Sequence, residues 1–218
     1  ISNENLVDLF EYSDFEMGKP IVLAEEIPNH IFILLEGKVR QLFENPLKKE
    51  IMTLDIYHPY HVVGLKSCKA NYPVEFATAA TDCKFAKISY ENWQKLFLKN
   101  NQFPALDDKV QTFEIISMLD KTSKISFPKE IKKLRKLIKD IAMESEIKNI
   151  IMPAKLSKIN FDESKNWYFA SNVMEISYGS IFKFEELDGF EGNIRILGIP
   201  KELVKPKLIS EKKDSSEE

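Results

Sequence analysis

The sequence predicts an α+β fold in which a β-barrel or sandwich comes first, helices flank it, and a small α/β or β-rich lobe follows. Between residues 20 and 88, short apolar runs alternate with breaks that contain Gly or Pro at intervals of roughly ten residues, as is typical of an all-β sandwich or barrel. From Leu65 to Tyr178 there is no Gly, and apolar residues recur at helical spacing within that span. The first pattern predicts the β-rich part, and the second predicts the helices.

The centre of the β-rich part is the run from Ile31 to Leu35, which is entirely apolar. Glu36 and Gly37 follow it, and then basic and apolar residues alternate through Lys38-Val39-Arg40. A continuous apolar run predicts a buried strand, and strict alternation predicts a half-exposed one. We therefore predict a central hairpin here.

The remaining strands are bounded by residues that fix turn geometry or cannot donate to a ladder. The breaks are Pro28-Asn29, Asn45-Pro46, His58-Pro59 and Asn71-Tyr72-Pro73. The predicted strands are residues 20–24, 31–35, 38–43, 50–54, 61–64, 74–80 and 83–88. A short segment of helical spacing, with Leu6, Val7, Leu9 and Phe10, precedes them.

Three helices are predicted after the strands. Ser89 is a suitable N-cap for a helix that runs through Asn100, with Trp93, Leu96 and Phe97 on one face. A second helix is predicted from Pro104 to about Leu119, since Leu106, Val110, Phe113, Ile116 and Leu119 recur every three or four residues. A polar connector follows at 121–127, and Pro128 suits the first turn of a third helix whose apolar side is Ile131, Leu134, Ile138 and Ile141.

Four features together resemble the cyclic-nucleotide-binding domain family. They are Phe15-x-x-Gly18-x-x-Ile21, the strand Ile31 to Val39, Val63-Gly64, and Ala79-Ala80-Thr81-Asp82-Cys83. The resemblance covers roughly residues 6–120 and implies a jelly-roll β-barrel followed by helices. It also implies that the helix after the barrel is a lid or a dimerisation element, and we favour a helix that covers the barrel mouth.

The family's ligand loop holds a cyclic phosphate on backbone N–H groups and an Arg, and holds the ribose hydroxyl on a carboxylate. The corresponding run here is Val63 to Cys68, in which Gly64 is kept but Leu65 stands where the family has Glu. The position of the Arg falls near Pro73 or Val74. Losing both groups should cost about 1.5–3 kcal/mol each, so cAMP or cGMP is not expected to bind in the family's usual manner. The candidate, degenerate ligand site is Gly64, Leu65, Lys66, Ser67, Cys68, Val74 and Glu75.

Several side chains near this loop have alternative interpretations. Lys66 offers a point charge and Glu75 a carboxylate, but we expect both to be solvated. Cys68 lies near a cation, which lowers a thiol pKa, yet a small buried side chain is the more common role of Cys. His58 and His61 lack the further ligands that a metal or haem site needs, so they are interpreted as turn residues.

Composition narrows the classes of function. The 218 residues carry a net charge of -3 with pI near 5.8, which gives no general attraction to polyanions. No apolar run approaches the roughly 20 residues that span a bilayer, and the two Cys fit a reducing compartment, so we expect a soluble, cytoplasmic segment. No motif of a nucleophile elbow, phosphate loop or metal site is present, so we expect neither an enzyme nor a cofactor.

The C-terminal part carries short aromatic runs at 167–169 and 181–184 and an apolar run at 194–197, with Asp188-Gly189 and Glu191-Gly192 as turns. The predicted division is therefore residues 1–120 for the barrel with its helices, 121–205 for a helical connector and small second lobe, and 206–218 for a charged tail that we expect to be disordered. The start at Ile1 and the charged end suggest a piece of a longer polypeptide.

Two functional hypotheses follow. The first is a regulatory or scaffolding domain with a degenerate phosphate site, in a longer protein such as an ABC-type exporter on the cytoplasmic side of a membrane, with other domains of its chain or a second copy as partners. The alternative is a DNA-binding transcription regulator of the catabolite-activator type. Its support is the basic helix at 129–139, whose six cations outnumber the neighbouring acidic residues Glu130 and Asp140. A solvated helix face is nevertheless the favoured interpretation of this charge, and nucleic acid is not the expected partner.

Overall fold

The computed structural model describes residues 6–44, 50–98, 111–122, 127–128, 130–154 and 159–203. Its elements in chain order are β1 Glu11–Phe15, β2 Pro20–Val22, β3 His30–Glu36, β4 Val39–Glu44, β5 Ile51–Tyr57, β6 Val62–Val63, α1 Leu65–Ala70, β7 Ala77–Ala79, β8 Cys83–Ser89, α2 Tyr90–Leu98, α3 Thr112–Thr122, α4 Ile131–Glu144, β9 Glu146–Met152, β10 Lys165–Phe169 and β11 Gly192–Pro200. Leu6–Leu9 and Phe184–Leu187 form short 3₁₀ helices.

Strands β1 to β8 form two four-stranded antiparallel sheets, which we call the N-terminal sheets. Their orders are β1-β8-β3-β6 and β2-β7-β4-β5. Leu34 and Phe85 from the first sheet share one core with Val39 and Phe43 from the second. The predicted α+β class is confirmed, and strands β1 to β8 lie in two separate antiparallel sheets. A closed jelly-roll barrel stays a prediction.

The predicted strands agree with the observed ones to within a few residues, with two exceptions that have physical reasons. β1 was missed because it alternates poorly: Tyr12 is 72% exposed on this edge strand. β7 covers only Ala77–Ala79 instead of 74–80, because the preceding residues fold over α1. That short helix was not predicted.

The helices agree with the apolar periodicity. The Oγ of Ser89 accepts a hydrogen bond from the N–H of Asn92 at 3.2 Å, which is the predicted cap of α2. α3 continues to Thr122, three residues past its predicted end, and the predicted part at 104–110 lies outside the described residues. α4 buries Leu134, Ile138 and Ile141 but begins at Ile131, so Pro128 precedes the helix and is not in its first turn.

Strands β9, β10 and β11 form an antiparallel sheet of order β10-β11-β9, which we call the C-terminal sheet. One of its faces, with Trp167, Phe169, Ile194 and Ile196, has a core of its own. The other face, with Tyr168, Leu197 and Ile199, joins the main core together with α3 and α4.

Three details of this part differ from the sequence analysis. β9 was not predicted, and the run at 181–184 makes only one bridge, from Ile181 to Tyr168, before the 3₁₀ helix. The turn at Asp188-Gly189 is present, whereas Gly192 already begins β11. The predicted disorder of 206–218 and most of the connector at 123–126 concern residues outside the described ranges.

Candidate functional site

The candidate site begins where β6 passes into α1. Gly64 joins them with φ +91°, and a Cβ atom at this position would lie 3.0 Å from the carbonyl oxygen of His30 and 3.1 Å from Cγ of Pro28. Both the backbone conformation and the space therefore require glycine here. This tight junction lets the first N–H groups of α1 point toward the segment that precedes β7.

The carboxyl group of Glu75 accepts hydrogen bonds from this junction. The N–H of Gly64 donates to Oε1 at 2.9 Å and the N–H of Ser67 donates to Oε2 at 3.0 Å. Ser67 completes the arrangement, since its Oγ accepts from the N–H groups of Val74 and Glu75 at 3.1 and 3.0 Å. We call Glu75 with Gly64 and Ser67 the Glu75 site. Its members satisfy one another's polar groups inside the protein.

Glu75 is 1% exposed, and burial raises the pKa of its carboxyl group. The hydrogen bonds from the N–H groups of Ser67 and Gly64 oppose that rise, as does the charge of Lys66, while the charge of Glu114 adds to it. Desolvation is thus the largest influence on this carboxyl group.

A cavity of about 140 Å³ lies beside the Glu75 site. Its walls come from β4, β5, the residues before β7, and α3, and the lining residues include Leu42, Leu54, Pro73, Val74, Glu75, Phe113 and Ile116. Pockets for small molecules usually measure about 300–1,000 Å³. The apolar side chains of α3 therefore leave a space smaller than a ligand pocket.

Residues 13–100 match the sequence profile of the family described as "Cyclic nucleotide-binding domain". This segment is a cyclic nucleotide-binding domain. No curated protein matches the chain.

Solved structures resemble part of the chain. A transcriptional regulator from Thermotoga maritima is 16% identical over 49% of this chain and 83% of its own, with a TM-score of 0.41. A cyclic nucleotide-binding domain from Methylobacillus flagellatus is 18% identical over 47% and 59%, with a TM-score of 0.41. The catabolite activator protein of Thermus thermophilus is 21% identical over 44% and 49%, with a TM-score of 0.38.

Within this cyclic nucleotide-binding domain, the residues predicted to form the ligand site divide into two groups. Gly64, Ser67 and Glu75 meet in the Glu75 site, and Val74 lines the cavity next to it. Leu65 and Cys68 instead face a separate core with Ile31, Ile88 and Trp93. The Leu at the family's Glu position is therefore a packing residue.

The expectation that Lys66 and Glu75 are solvated was wrong. Lys66 is 7% exposed, and Glu75 is still more buried. Glu75 is buried because the N–H groups of Gly64 and Ser67 accommodate its two oxygens, and Lys66 because its Nζ lies 3.7 Å from Oε2 of Glu114 on α3. The sequence did not reveal these partners, and without partners both charged groups were expected in solvent.

Cys68 is not an activated thiol. Burial raises its pKa to about 12, and its Sγ donates to the carbonyl oxygen of Pro28 at 3.0 Å. A thiol with this pKa carries almost no thiolate near neutral pH.

His58 and His61 lie at the turn between β5 and β6. Nδ1 of His61 is 2.8 Å from the carbonyl oxygen of His58, and its ring stacks on Tyr57 with centroids 4.9 Å apart. Across the described ranges, His, Cys, Asp and Glu nowhere gather in a group of three that would hold a metal ion. In the same part of the chain, no helix is long and apolar enough to cross a bilayer.

Sequence analysis missed a second buried carboxylate, Glu114. Nη2 of Arg195, on β11, lies 2.6 Å from its Oε1, and the N–H of Gln111 donates to its Oε2 at 2.9 Å. With Lys66 as the second cation, these charged side chains are all at most 8% exposed. We call Glu114 with Lys66 and Arg195 the Glu114 site. The available signal was a single charge inside an apolar run, in Phe113-Glu114-Ile115 and in Ile194-Arg195-Ile196.

The far end of α1 is held by the loop that follows β10. Nδ2 of Asn172 donates to the carbonyl oxygen of Asn71 at 2.7 Å, and its N–H donates to that of Ala70 at 2.7 Å. Tyr178 stacks on Tyr72 with ring centroids 4.6 Å apart. The C-terminal part of the chain thus contacts the residues just after the candidate site.

Proposed function

We propose that residues 13–100 act as a regulatory or scaffolding domain, not as an enzyme, and that they do not bind cAMP or cGMP in the family's usual manner. One observation carries the proposal: the amide groups at the start of α1 already donate to the carboxyl group of Glu75. A cyclic phosphate would have to replace that carboxyl group without any compensating bond from an Arg of the same loop.

Two further observations support this proposal. The positions near which the family has its phosphate-binding Arg are Pro73 and Val74, which here form part of the wall of the small cavity. Phe113 and Ile116 of α3 close the same cavity and are 4% and 2% exposed. A nucleotide would have to displace α3 and to compete with Glu75 for the two amide groups, and the loop at 63–75 has no Arg that would compensate for these costs.

Thermal-shift titration with cAMP and with cGMP tests this proposal. A ligand that binds only the folded protein raises the melting temperature as its concentration exceeds Kd, so we expect no shift for either nucleotide up to millimolar concentration. The Glu75→Ala variant is titrated in parallel, because it frees the amide groups of Gly64 and Ser67 from the carboxyl group. A clear shift of the wild-type protein would contradict the proposal.

We further propose that the domain works in the cytoplasm as part of a longer protein such as an ABC-type exporter. The support is the resemblance, since in some bacterial secretion transporters a similar domain precedes the membrane and ATPase parts. An antibody against residues 11–98 should then detect a polypeptide well above 25.3 kDa in the membrane fraction of source cells. Detection of a 25 kDa band in the supernatant alone would count against this parent. A homodimer stays a prediction, to be tested by sedimentation.

The alternative function, a DNA-binding regulator, has one supporting observation. Lys132, Lys136 and Lys139 are exposed along one side of α4, and none of the ion pairs found in the described part of the chain involves them. Phosphate-driven binding weakens steeply with salt, so this alternative predicts retardation of duplex DNA at low salt that disappears at moderate salt. Absence of retardation at low salt would remove it.

A further inference from the structure

The Glu114 site joins three parts of the molecule that are distant in sequence. Lys66 belongs to α1, Glu114 to α3 and Arg195 to β11 of the C-terminal sheet. Arg195 lies on the face of β11 opposite to Ile194 and Ile196, whose side chains belong to the separate core of the C-terminal sheet. A buried carboxylate is tolerated when cations and hydrogen-bond donors surround it. α1 is therefore linked through Glu114 to a side chain of the C-terminal sheet.

A second connection acts on the same helix from its other end. Asn172 donates to two carbonyl oxygens at the C-terminus of α1, and its Oδ1 accepts from the N–H of Tyr178 at 2.7 Å. Tyr178 in turn lies within reach of Glu114, with its hydroxyl 3.5 Å from the backbone oxygen of that residue. The connection through Asn172 is thus continuous with the Glu114 site.

The Glu114 site also affects the ionisation of Glu75. The charge of Glu114 disfavours the ionised form of Glu75, and Lys66 favours it. Arg195 pairs with Oε1 of Glu114 at 2.6 Å, and Lys66 with Oε2 at 3.7 Å. Removal of Arg195 would take away the closer of these two cations, and this would weaken the support that Lys66 gives to Glu75.

We propose that the C-terminal sheet regulates the Glu75 site, by holding α1 through Arg195 and Glu114 so that the amide groups of Gly64 and Ser67 stay bonded to Glu75. The inference rests on the proposed function of that site and adds its control: a partner or a neighbouring domain that moves the C-terminal sheet releases the start of α1. Glu114 and Arg195 are positioning residues in this scheme.

Amide hydrogen exchange of the full chain, followed by NMR, tests the coupling. Arg195→Met keeps much of the side-chain volume and removes the charge, and we expect exchange at Gly64 and Ser67 to become at least about tenfold faster. Arg195→Lys retains the charge and should stay much closer to the wild type. The amides of Leu34 and Phe85, in the core of the N-terminal sheets, report global unfolding in each sample.

Ile196→Ala is the matched control, because Ile196 adjoins Arg195 but faces the other core and is fully buried. It should speed exchange in β11 and leave Gly64 and Ser67 at the wild-type rate relative to Leu34 and Phe85. The coupling is refuted if Arg195→Met leaves the two site amides unchanged, or if Ile196→Ala accelerates them equally.

The wild-type protein separates this proposal from the one on which it rests. Fast exchange of Gly64 and Ser67 in the wild type would mean that Glu75 does not hold them, and the proposed function would fail. Protection in the wild type with no response to Arg195→Met would refute the coupling alone. If Arg195→Met does not fold, Asn172→Ala takes its place, with a smaller acceleration of the same two amides expected and no acceleration as the refuting result.

Discussion

The Glu75 site and the Glu114 site solve the same physical problem in different ways. Both centre on a glutamate that is at most 2% exposed. Glu75 is accommodated by backbone N–H groups only eight and eleven residues away in its own segment. Glu114 is accommodated mainly by the charges of Lys66 and Arg195, from two other parts of the fold.

The difference separates local from long-range stabilisation. The hydrogen bonds of the Glu75 site are all made within one segment, so α3 and the C-terminal sheet can displace its amide groups only through the position of α1. The Glu114 site exists only when α1, α3 and the C-terminal sheet are all in place. Variants of the two sites should therefore differ both in magnitude and in how far their effects extend.

Glu114→Gln should have the largest effect on stability. The amide leaves two buried cations without their shared carboxylate, and breaking a buried pair in this way typically costs about 3–5 kcal/mol. Urea denaturation measures the change. Glu36→Gln is the control, since Glu36 pairs with Lys84 on the surface and exposed pairs contribute little. If Glu114→Gln costs no more stability than Glu36→Gln, the buried charges of the Glu114 site contribute no more than an exposed ion pair.

Glu75→Ala should come next, at about 2–4 kcal/mol. It leaves two buried N–H groups without an acceptor at roughly 1–3 kcal/mol each, and relief of the desolvation of the buried carboxyl group offsets part of that cost. The change is again read from urea denaturation. Its effect on hydrogen exchange should stay close to Gly64 and Ser67, whereas that of Glu114→Gln should extend to α1 and β11 together. A loss of well under 1 kcal/mol for Glu75→Ala would show that water reaches the two amides.

The pH dependence of stability should distinguish Glu75 from Gln at the same position. The pKa of Glu75 is raised in the folded protein, so the native state holds the proton more tightly than the unfolded chain does. The contribution of Glu75 is then most favourable below its ordinary pKa and falls as pH rises through the raised value. Urea denaturation of wild type and Glu75→Gln between pH 4 and 8 should show the wild type losing stability relative to the variant. A relative gain with rising pH would contradict the raised pKa.

The smallest effect is expected at Gln41, a buried polar residue that has neither the N–H donors of the Glu75 site nor the cations of the Glu114 site. It is 0% exposed on β4, and neither atom of its amide has a hydrogen-bond partner in the described part of the chain. Replacement of an unsatisfied polar group by an apolar one of similar shape is neutral or stabilising. Gln41→Met should therefore raise stability by up to about 1 kcal/mol, as measured by thermal denaturation. A clear loss would indicate a partner for Gln41.

The sequence predicted the parts that depend on local pattern. The apolar runs located most strands of the N-terminal sheets, Ser89 located the start of α2, and Gly64 located the candidate site. Missing from the prediction were α1, which is too short for periodicity to reveal, and β1 and β9, whose exposed residues obscure the alternation.

The roles of charged residues were harder to predict. Lys66 and Glu75 were expected in solvent, because an isolated charged residue in a sequence is usually exposed. Each is buried because it has a partner, and the ion-pair partner of Lys66 is Glu114 on α3. Contacts between residues as distant as Glu114 and Arg195 leave no trace in local spacing, although a lone charge within an apolar run marks each of them.

The proposed function requires that the carboxyl group of Glu75 occupies the amide groups at the start of α1. NMR detection of the Gly64 and Ser67 amide protons during a pH titration tests this arrangement. Both resonances should move together, with one midpoint above the ordinary pKa of Glu, about 4.3, and this movement should be absent in Glu75→Gln. Resonances that do not respond to pH, or that respond equally in Glu75→Gln, would contradict it.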